Sequence, residues 1–402
     1  MLKNFVSKLE NPDHPSLGPT LWGLQAFGLW QPTKGVANII YNLKHIFLAL
    51  FIMRQYVELW IVRSDLDLVL TNLSKTVVTT FCVIKAGTFV FWQKRWRDVI
   101  EYVSTLERRQ LSEKDDVTKT FIGDYIKYSR NITYMYWFLA IMTVFSLTVA
   151  PILVFFLSSK HHKHIKNETM PYPQIMDSWV PFDKSSGYGY WFTVLEATFV
   201  CYHGGGIVAT YDSNALVIMS FFAGQLKLLK ANCARLFGDG VETVTHKDAM
   251  KRIRDCHSHH LLLIKCSKIL NSLLSPVMFL YVIICSLMIC GSAIQLTTEG
   301  TTGMQQLYIA EFVVALIAQL FLYCWHSNDV LYVSETVQED VYASNWWSTN
   351  VRTRRSLVLL GGQLRRKIVF EAGPFTELTT STFITILKGA YSYYTLLSNK
   401  GN

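Results

Sequence analysis

The chain has 402 residues, half of them hydrophobic and only 17% charged, against roughly 25% charged in an average soluble protein. That balance excludes one large soluble core and points to a membrane. The net charge of +9 would suit a nucleic-acid binder, but its distribution along the chain gives it another explanation.

Residues 1–20 hold Asp13, His14 and three prolines with no continuous apolar stretch, so no signal peptide is expected. Segment 1–35 is read as staying in the cytoplasm. Seven apolar runs follow that approach the ~20 residues needed to cross a ~30 Å hydrocarbon layer. They lie at roughly 36–60, 66–92, 132–157, 188–212, 269–296, 305–333 and 375–397. The first is the weakest, because Lys44, Arg54 and Glu58 interrupt it. With the N-terminus inside, the inner segments (1–35, 93–131, 223–268 and 334–374) carry 27 of the 38 Lys and Arg, and the outer segments carry 7. This is a strong positive-inside bias, and it accounts for the net charge without nucleic acid. Two sequons, at Asn72 and Asn167, fall in expected outer loops and are candidate glycosylation sites. A third, at Asn131, falls inside and should stay bare. The eight cysteines avoid the outer loops and form no CxxC pair, so no disulfide framework is expected.

The fourth apolar run does not end at the inner membrane face. From Tyr188 to Ala223 it is broken only by Asp212, Ser213 and Asn214, and it spans about 54 Å as a helix. It should leave the membrane and be buried by protein over 215–230. Residues 245–268 read as an amphipathic approach to the fifth span. Segment 334–374 mixes Trp346, Trp347 and the run Leu357 to Leu360 with arginines. The inner ends of the later helices are therefore expected to form a packed anchor body.

No GxGxxG, Walker A or HExxH motif is present. Gly204, Gly205 and Gly206 suit close helix packing better than a phosphate cradle. The HHKH cluster at 161–164 lacks paired ligand spacing and reads as a solvated loop. No acid–base or nucleophile–base pair assembles, so neither an enzyme nor a cofactor or metal site is expected.

The ionisable residues inside the spans say more. They are Lys85, Glu196, Glu311 and Lys388. Exposing such a residue to lipid costs ~2.5–3.5 kcal/mol or more, so each should face protein or water. Glu196 and Glu311 fall in the outer half, either in interhelical hydrogen bonds or at the edge of a polar cavity. In the last span Ser381, Thr385, Lys388, Ser392, Thr395 and Asn399 recur every three or four residues. They form one polar stripe, which must meet sister helices or water. Lined by water, it is a pore wall, and Leu396 beside it near the outer end could gate by dewetting.

The segment GPFTELTTSTFITILKGAYSYYTLL, residues 373–397, resembles the C-terminal signature of insect odorant receptors. The stretch LFLYCWHSNDV, a tryptophan at 346 or 347 and an Arg-rich short helix precede it in the family's order. The resemblance implies an all-α membrane protein with seven transmembrane helices, a cytoplasmic N-terminus and an extracellular C-terminus. The parts would be a 1–35 N-terminal segment, spans one to six over 36–333, a cytoplasmic anchor with a short helix over 334–374, and a pore helix over 375–402. It implies an odorant-gated non-selective cation channel subunit, in the plasma membrane of olfactory sensory neurons, assembled as a tetramer with the Orco co-receptor. The long insertion of the co-receptor itself is absent between spans four and five, which points to a tuning subunit. The ligand, a small volatile hydrophobe, would lie among helices two, three, four and six. Transferred by helix position, the ligand-binding candidates are Val77, Phe81, Ser146, Val149, Leu153, Tyr188, Phe192, Leu195, Phe199, Tyr308 and Phe312. Pore and gate candidates are Lys388, Ser392, Thr395, Leu396, Asn399 and Lys400. Lys400 departs from an apolar gate and favours a mixed assembly over a homomer.

Three other readings fit less well. A G-protein-coupled receptor would place most of the basic residues outside, and no DRY or NPxxY motif is present. A gustatory receptor of the same superfamily would end in a TYxxxxxQF-type motif. A transporter would show inverted repeats or paired broken helices.

Overall fold

A computed structural model describes residues 9–32, 35–113, 115–157, 174–184, 187–238, 244–297 and 303–398. The described chain is almost entirely helical: α1 (Gly18–Ala26), α2 (Val36–Ile61), α3 (Leu66–Phe91), α4 (Gln93–Ser112), α5 (Asp116–Leu157), α6 (Gly187–Ala234), α7 (His246–Thr297), α8 (Gly303–Ala343), α9 (Val351–Leu364) and α10 (Thr380–Ser398). Among the described residues six helices are long and apolar enough to cross a membrane: α2, α3, α5, α6, α7 and α8. The seventh expected span forms as α10, a helix of 19 residues. Its lysine, tyrosines and hydroxyl side chains keep it out of that apolar set.

α6 is the central post. It runs unbroken for 48 residues and 89% of its apolar window is buried. The run from Tyr211 to Ala223 is wholly enclosed, as expected for a helix surrounded by protein on every side. α5 and α8 flank it along much of its length. The fifth apolar run and its amphipathic approach fuse into one helix of 52 residues, with Pro276 inside it.

Four features differ from the sequence expectation. Segment 1–35, for which no element was expected, carries α1. Leu17, Leu21 and Leu24 are buried there, and a Cβ on Gly23 would meet Thr210 and Trp137. Segment 93–131, basic and inner in the charge count, is helical. It holds α4, whose buried face repeats at Trp96, Val99, Ile100 and Val103, and the first turns of α5, capped by Asp115 receiving the Val117 amide at 3.2 Å. The helix that carries the third apolar run starts ahead of it, at Asp116. Residues 371–377 are a small hairpin pairing Glu371 with Glu377 and Ala372 with Thr376. The helix expected from 375 therefore starts at 380. The turn needs Gly373, whose φ is 69°, a region that side-chain-bearing residues seldom adopt. Its amide donates to the Ser275 carbonyl at 3.1 Å, which docks the hairpin on α7.

The glycine run in α6 works by close approach. A Cβ on Gly205 would lie 2.4 Å from Val144, and one on Gly206 would lie 2.0 Å from the Phe27 ring. The chain leaving α1 crosses α6 at that point.

Far from the glycines, α4 buries Glu107 completely. Its carboxylate accepts the Ser16 amide at 3.1 Å and the Tyr125 hydroxyl at 3.1 Å. Burial pushes the Glu107 carboxyl from its ordinary 4.5 up to about 7, while the Ser16 and Tyr125 bonds and the Arg130 charge pull the other way. The folded chain thus holds a proton that the unfolded chain releases over that interval. The stability this confers is present below about pH 4.5 and is lost as pH rises through about 7. Hydrogen exchange at the Ser16 amide should therefore speed up between about pH 5 and pH 7.5, beyond the intrinsic base-catalysed rise. Glu107→Gln should flatten the excess, and an unchanged excess in that variant would mean that Glu107 is not the titrating group.

Candidate functional site

α3, α5, α6, α7 and α8 enclose a cavity of about 200 Å³. Each helix contributes one face. On α3 the lining residues Lys75, Val78, Cys82 and Lys85 recur at helical spacing. On α6 they are Val200, Cys201, Gly204, Gly205 and Val208, so the small residues that let helices approach also leave the open space. α7 supplies Tyr281, Cys285, Met288 and Ser292, and α8 supplies Glu311, Phe312, Leu316 and Gln319. The lining is mostly apolar with a few polar groups, the usual composition of a small-molecule pocket.

The floor of the cavity is ionic. Lys85 and Asp212 are fully buried. The Lys85 ammonium donates to both carboxylate oxygens, at 2.6 and 2.8 Å. Asp212 also accepts from the hydroxyls of Tyr136 (2.6 Å) and Tyr323 (2.7 Å) and from the side-chain amide of Gln319 (2.6 Å). One carboxylate on α6 thus binds α3, α5 and α8. α7 joins through Tyr281, whose ring stacks on Phe81 at 5.4 Å and lies 5.6 Å from the Lys85 ammonium. The Phe81 ring lies 4.7 Å from that ammonium, within cation–π range.

Three of the eleven expected ligand residues line the cavity: Phe81, Ser146 and Phe312. Val77 and Val149 are half-buried and lie outside the lining. Leu153 and Tyr308 are helical, and their side chains lie outside the described residues. The four on α6 lie outside this lining: Tyr188, Phe192, Leu195 and Phe199 are 97%, 56%, 69% and 43% exposed, and Tyr188 and Phe192 border a separate surface depression with Phe182. They share the helical period of the α6 lining residues but not their phase. The inward face of α6 there carries Tyr190, Val194, Ala197 and Val200. In a membrane both faces can be apolar, so hydrophobicity does not choose between them.

α7 was absent from the expected pocket, and Asp212 was read only as a break in an apolar run. Lys85 was the signal that could have found it, since a lysine inside a span calls for an acid at the same depth. Glu196 pairs with Arg54 of α2 at 2.5 Å and so takes the interhelical role. Lys184 pairs with Glu58 at 2.7 Å, and together the two pairs hold segment 174–184 and α6 against α2. Glu311 takes the other role and lines the cavity. Asn72 sits in α3 and is buried. Asn167 and the HHKH cluster lie outside the described residues. Among the described residues no three His, Cys, Asp or Glu gather as a metal site.

On α10, Ser381, Thr385, Lys388 and Ser392 are exposed and Thr395 is half-buried. Phe383, Ile386, Leu387 and Ala390 turn to the core. The polar stripe therefore faces away from this chain's own packing. The Leu396 side chain, Asn399 and Lys400 lie outside the described residues.

The Lys85–Asp212 pair gives a stability test. Removing one partner of a buried ion pair costs about 3–5 kcal/mol, because the other charge remains desolvated. Lys85→Met should lower the melting temperature of the detergent-purified protein sharply. Lys85→Met with Asp212→Asn should recover part of the loss, since the amide oxygen still accepts from a tyrosine. Equal melting of the single and double variants would show that the pair is not coupled.

Comparison with known proteins bears on the same helices. A family model described as 7tm Odorant receptor matches residues 65–391. Odorant receptor 82a of Drosophila melanogaster is 25% identical over 392 residues, covering 94% of this chain and 97% of that protein. Odorant receptor Or2 of Anopheles gambiae is 26% identical over 145 residues, covering 36% of this chain and 38% of that protein. The structure of the insect olfactory receptor OR5 from Machilis hrabei, in complex with eugenol, matches with a TM-score of 0.80 at 14% identity, over 95% of this chain and 97% of that one.

Proposed function

The chain belongs to the odorant receptor family of multi-pass membrane proteins, and we propose that it is an odorant-gated, non-selective cation channel subunit. Its partners are the Orco co-receptor in a tetramer, a small volatile hydrophobic ligand and the lipids of the olfactory neuron's plasma membrane. The observation that carries this reading is the apolar cavity above an ionic floor. Such a cavity suits a neutral molecule of modest size. The similar receptor OR5 from Machilis hrabei is known in complex with eugenol, which supports a small volatile ligand here.

α10 supplies the second half of the reading. Its exposed polar stripe is costly in lipid and favourable beside water. Four copies around an axis would place Lys388 and Ser392 toward a common path, with Leu396 as the apolar constriction. Trp347, Val351, Val358, Leu359 and Phe375 are exposed around α9 and the hairpin. Apolar surface of that kind supports association with sister subunits, as the anchor reading of 334–374 requires. The basic bias of the sequence supports a cytoplasmic position for that end and for the N-terminus.

Whole-cell recording tests the proposal directly. Volatiles should evoke a rapid cation current when this chain is expressed with the co-receptor and G-protein signalling is blocked. A current abolished by that block would overturn the channel reading. Leu396→Ala should raise unstimulated current, and unchanged basal and evoked currents would remove Leu396 as the gate. Ser146→Leu, inside the cavity, should shift the half-maximal odorant concentration by roughly tenfold, in keeping with a 1–3 kcal/mol packing change, and leave reversal potentials alone. A change in permeability instead would place Ser146 on the ion path.

A further inference from the structure

Three charged side chains line the cavity: Lys75, Lys85 and Glu311. Two are answered by an opposite charge. Lys75 pairs with Asp177 at 3.7 Å and Lys85 with Asp212 at 2.6 Å. Glu311 has neither an ion pair nor a hydrogen bond among the described residues. With those two pairs answered, Glu311 is the one charged-type side chain of the lining that has no partner among the described residues. It sits on α8 beside Phe312, which lines the same space.

An intramembrane carboxylate without a partner is costly unless something in the cavity satisfies it. An ionised carboxylate can only accept hydrogen bonds. Its natural complement is therefore a ligand that donates one. The rest of the lining sets the size. A dry apolar cavity of about 150 Å³ accommodates benzene. At about 200 Å³, this cavity has room for roughly eight heavy atoms in proportion, a six-membered ring with a short substituent. Phe81, Tyr136 and Tyr281 offer aromatic surface to such a ring.

We propose that Glu311 is the polar anchor of the cavity, and that it selects small ligands bearing an O–H or N–H donor over isosteric ethers and hydrocarbons. This deepens the reading of the cavity as the ligand site and depends on it. Lys85 does not compete for the role of anchor, since Asp212 already engages it through both oxygens. Gln295 Nε2 is buried without a partner in the same lining and could receive a ligand acceptor. An acceptor-only probe therefore belongs in the comparison.

The test uses the full-length chain in lipid nanodiscs and four probes of one frame: benzyl alcohol, benzylamine, anisole and toluene. Binding is followed by titration with saturation-transfer NMR. The two donors should bind roughly tenfold or more tightly than anisole and toluene, the difference a charge-assisted hydrogen bond makes. Glu311→Gln should weaken benzylamine more than benzyl alcohol, because the amide keeps an acceptor but loses the charge. Glu311→Leu should abolish both preferences, with retained toluene binding showing that the cavity is intact. Should Glu311→Leu fail to fold, Glu311→Gln decides. Equal binding of all four probes, or a donor preference that survives Glu311→Gln unchanged for both donors, overturns the anchor and leaves the cavity as the ligand site. Binding of none of the four, toluene included, overturns both.

Discussion

Asp212 lies fully buried in the middle of a 48-residue helix, and its surroundings supply what solvent would have supplied. An ammonium, two phenols and a carboxamide fill its lone pairs. Each donor comes from a helix that must sit at one depth and one rotation to reach the carboxylate. A sliding or turning helix would lose a bond worth more than an ordinary one, because the abandoned group stays desolvated. Apolar packing in lipid is a weak specifier, since lipid tails compete for the same surfaces. This carboxylate therefore fixes the register of α3, α5 and α8 about α6, and the cavity is the space left above it.

Much of the architecture was legible in the sequence because membrane constraints are blunt. Length and hydropathy fixed the spans, and the excess length of the fourth run marked a helix continuing into protein, as the burial of Tyr211 to Ala223 bears out. The amphipathic stretch ahead of the fifth span joined it as one helix for a similar reason. α1, α4 and the hairpin at 371–377 were not legible. α1 is nine residues long, too short for a periodic signal. α4 is amphipathic in a segment whose basic charge dominated its reading. The hairpin has two-residue strands and is held by Gly373 and the Ser275 carbonyl, a tertiary contact that no local pattern encodes.

The site was less legible than the fold, and α6 shows why. Its outward stripe, Tyr188, Phe192, Leu195 and Phe199, is large, aromatic and helically spaced, everything a pocket wall should be. Its inward stripe is smaller, with Ala197, Cys201 and Gly204. Lipid tolerates bulky apolar groups on the outside, while five helices meeting around a cavity need small ones within. In water the bulky face would turn inward, and in a bilayer that inference loses its force. Polar residues kept their meaning throughout. Lys85, Glu196 and Glu311 all face protein or cavity, because an ionisable group turned to lipid is costly.

The same polar floor bears on how occupancy of the cavity could reach the last helix. α10 packs chiefly on α7 and α8, and both of those helices also wall the cavity. On α8, Gln319 and Tyr323 bind Asp212, and Phe321 between them meets Phe383 of α10 at 5.4 Å. On α7, Tyr281 borders the cavity, and Phe279 two residues earlier meets Phe375 of the hairpin at 6.4 Å. Residues two apart thus touch opposite neighbours, so a rotation of either helix that changes the cavity also changes the seat of α10. Tyr323 and Gln319 oppose such a rotation in α8 through their bonds to a buried charge. Tyr281 has a softer restraint, a 3.3 Å bond to the Leu316 carbonyl and stacking on Phe81. A ligand can shift an equilibrium only by the difference in its affinity for the two states. On the channel reading, that difference is most cheaply expressed through α7, the wall of the cavity that Asp212 does not hold.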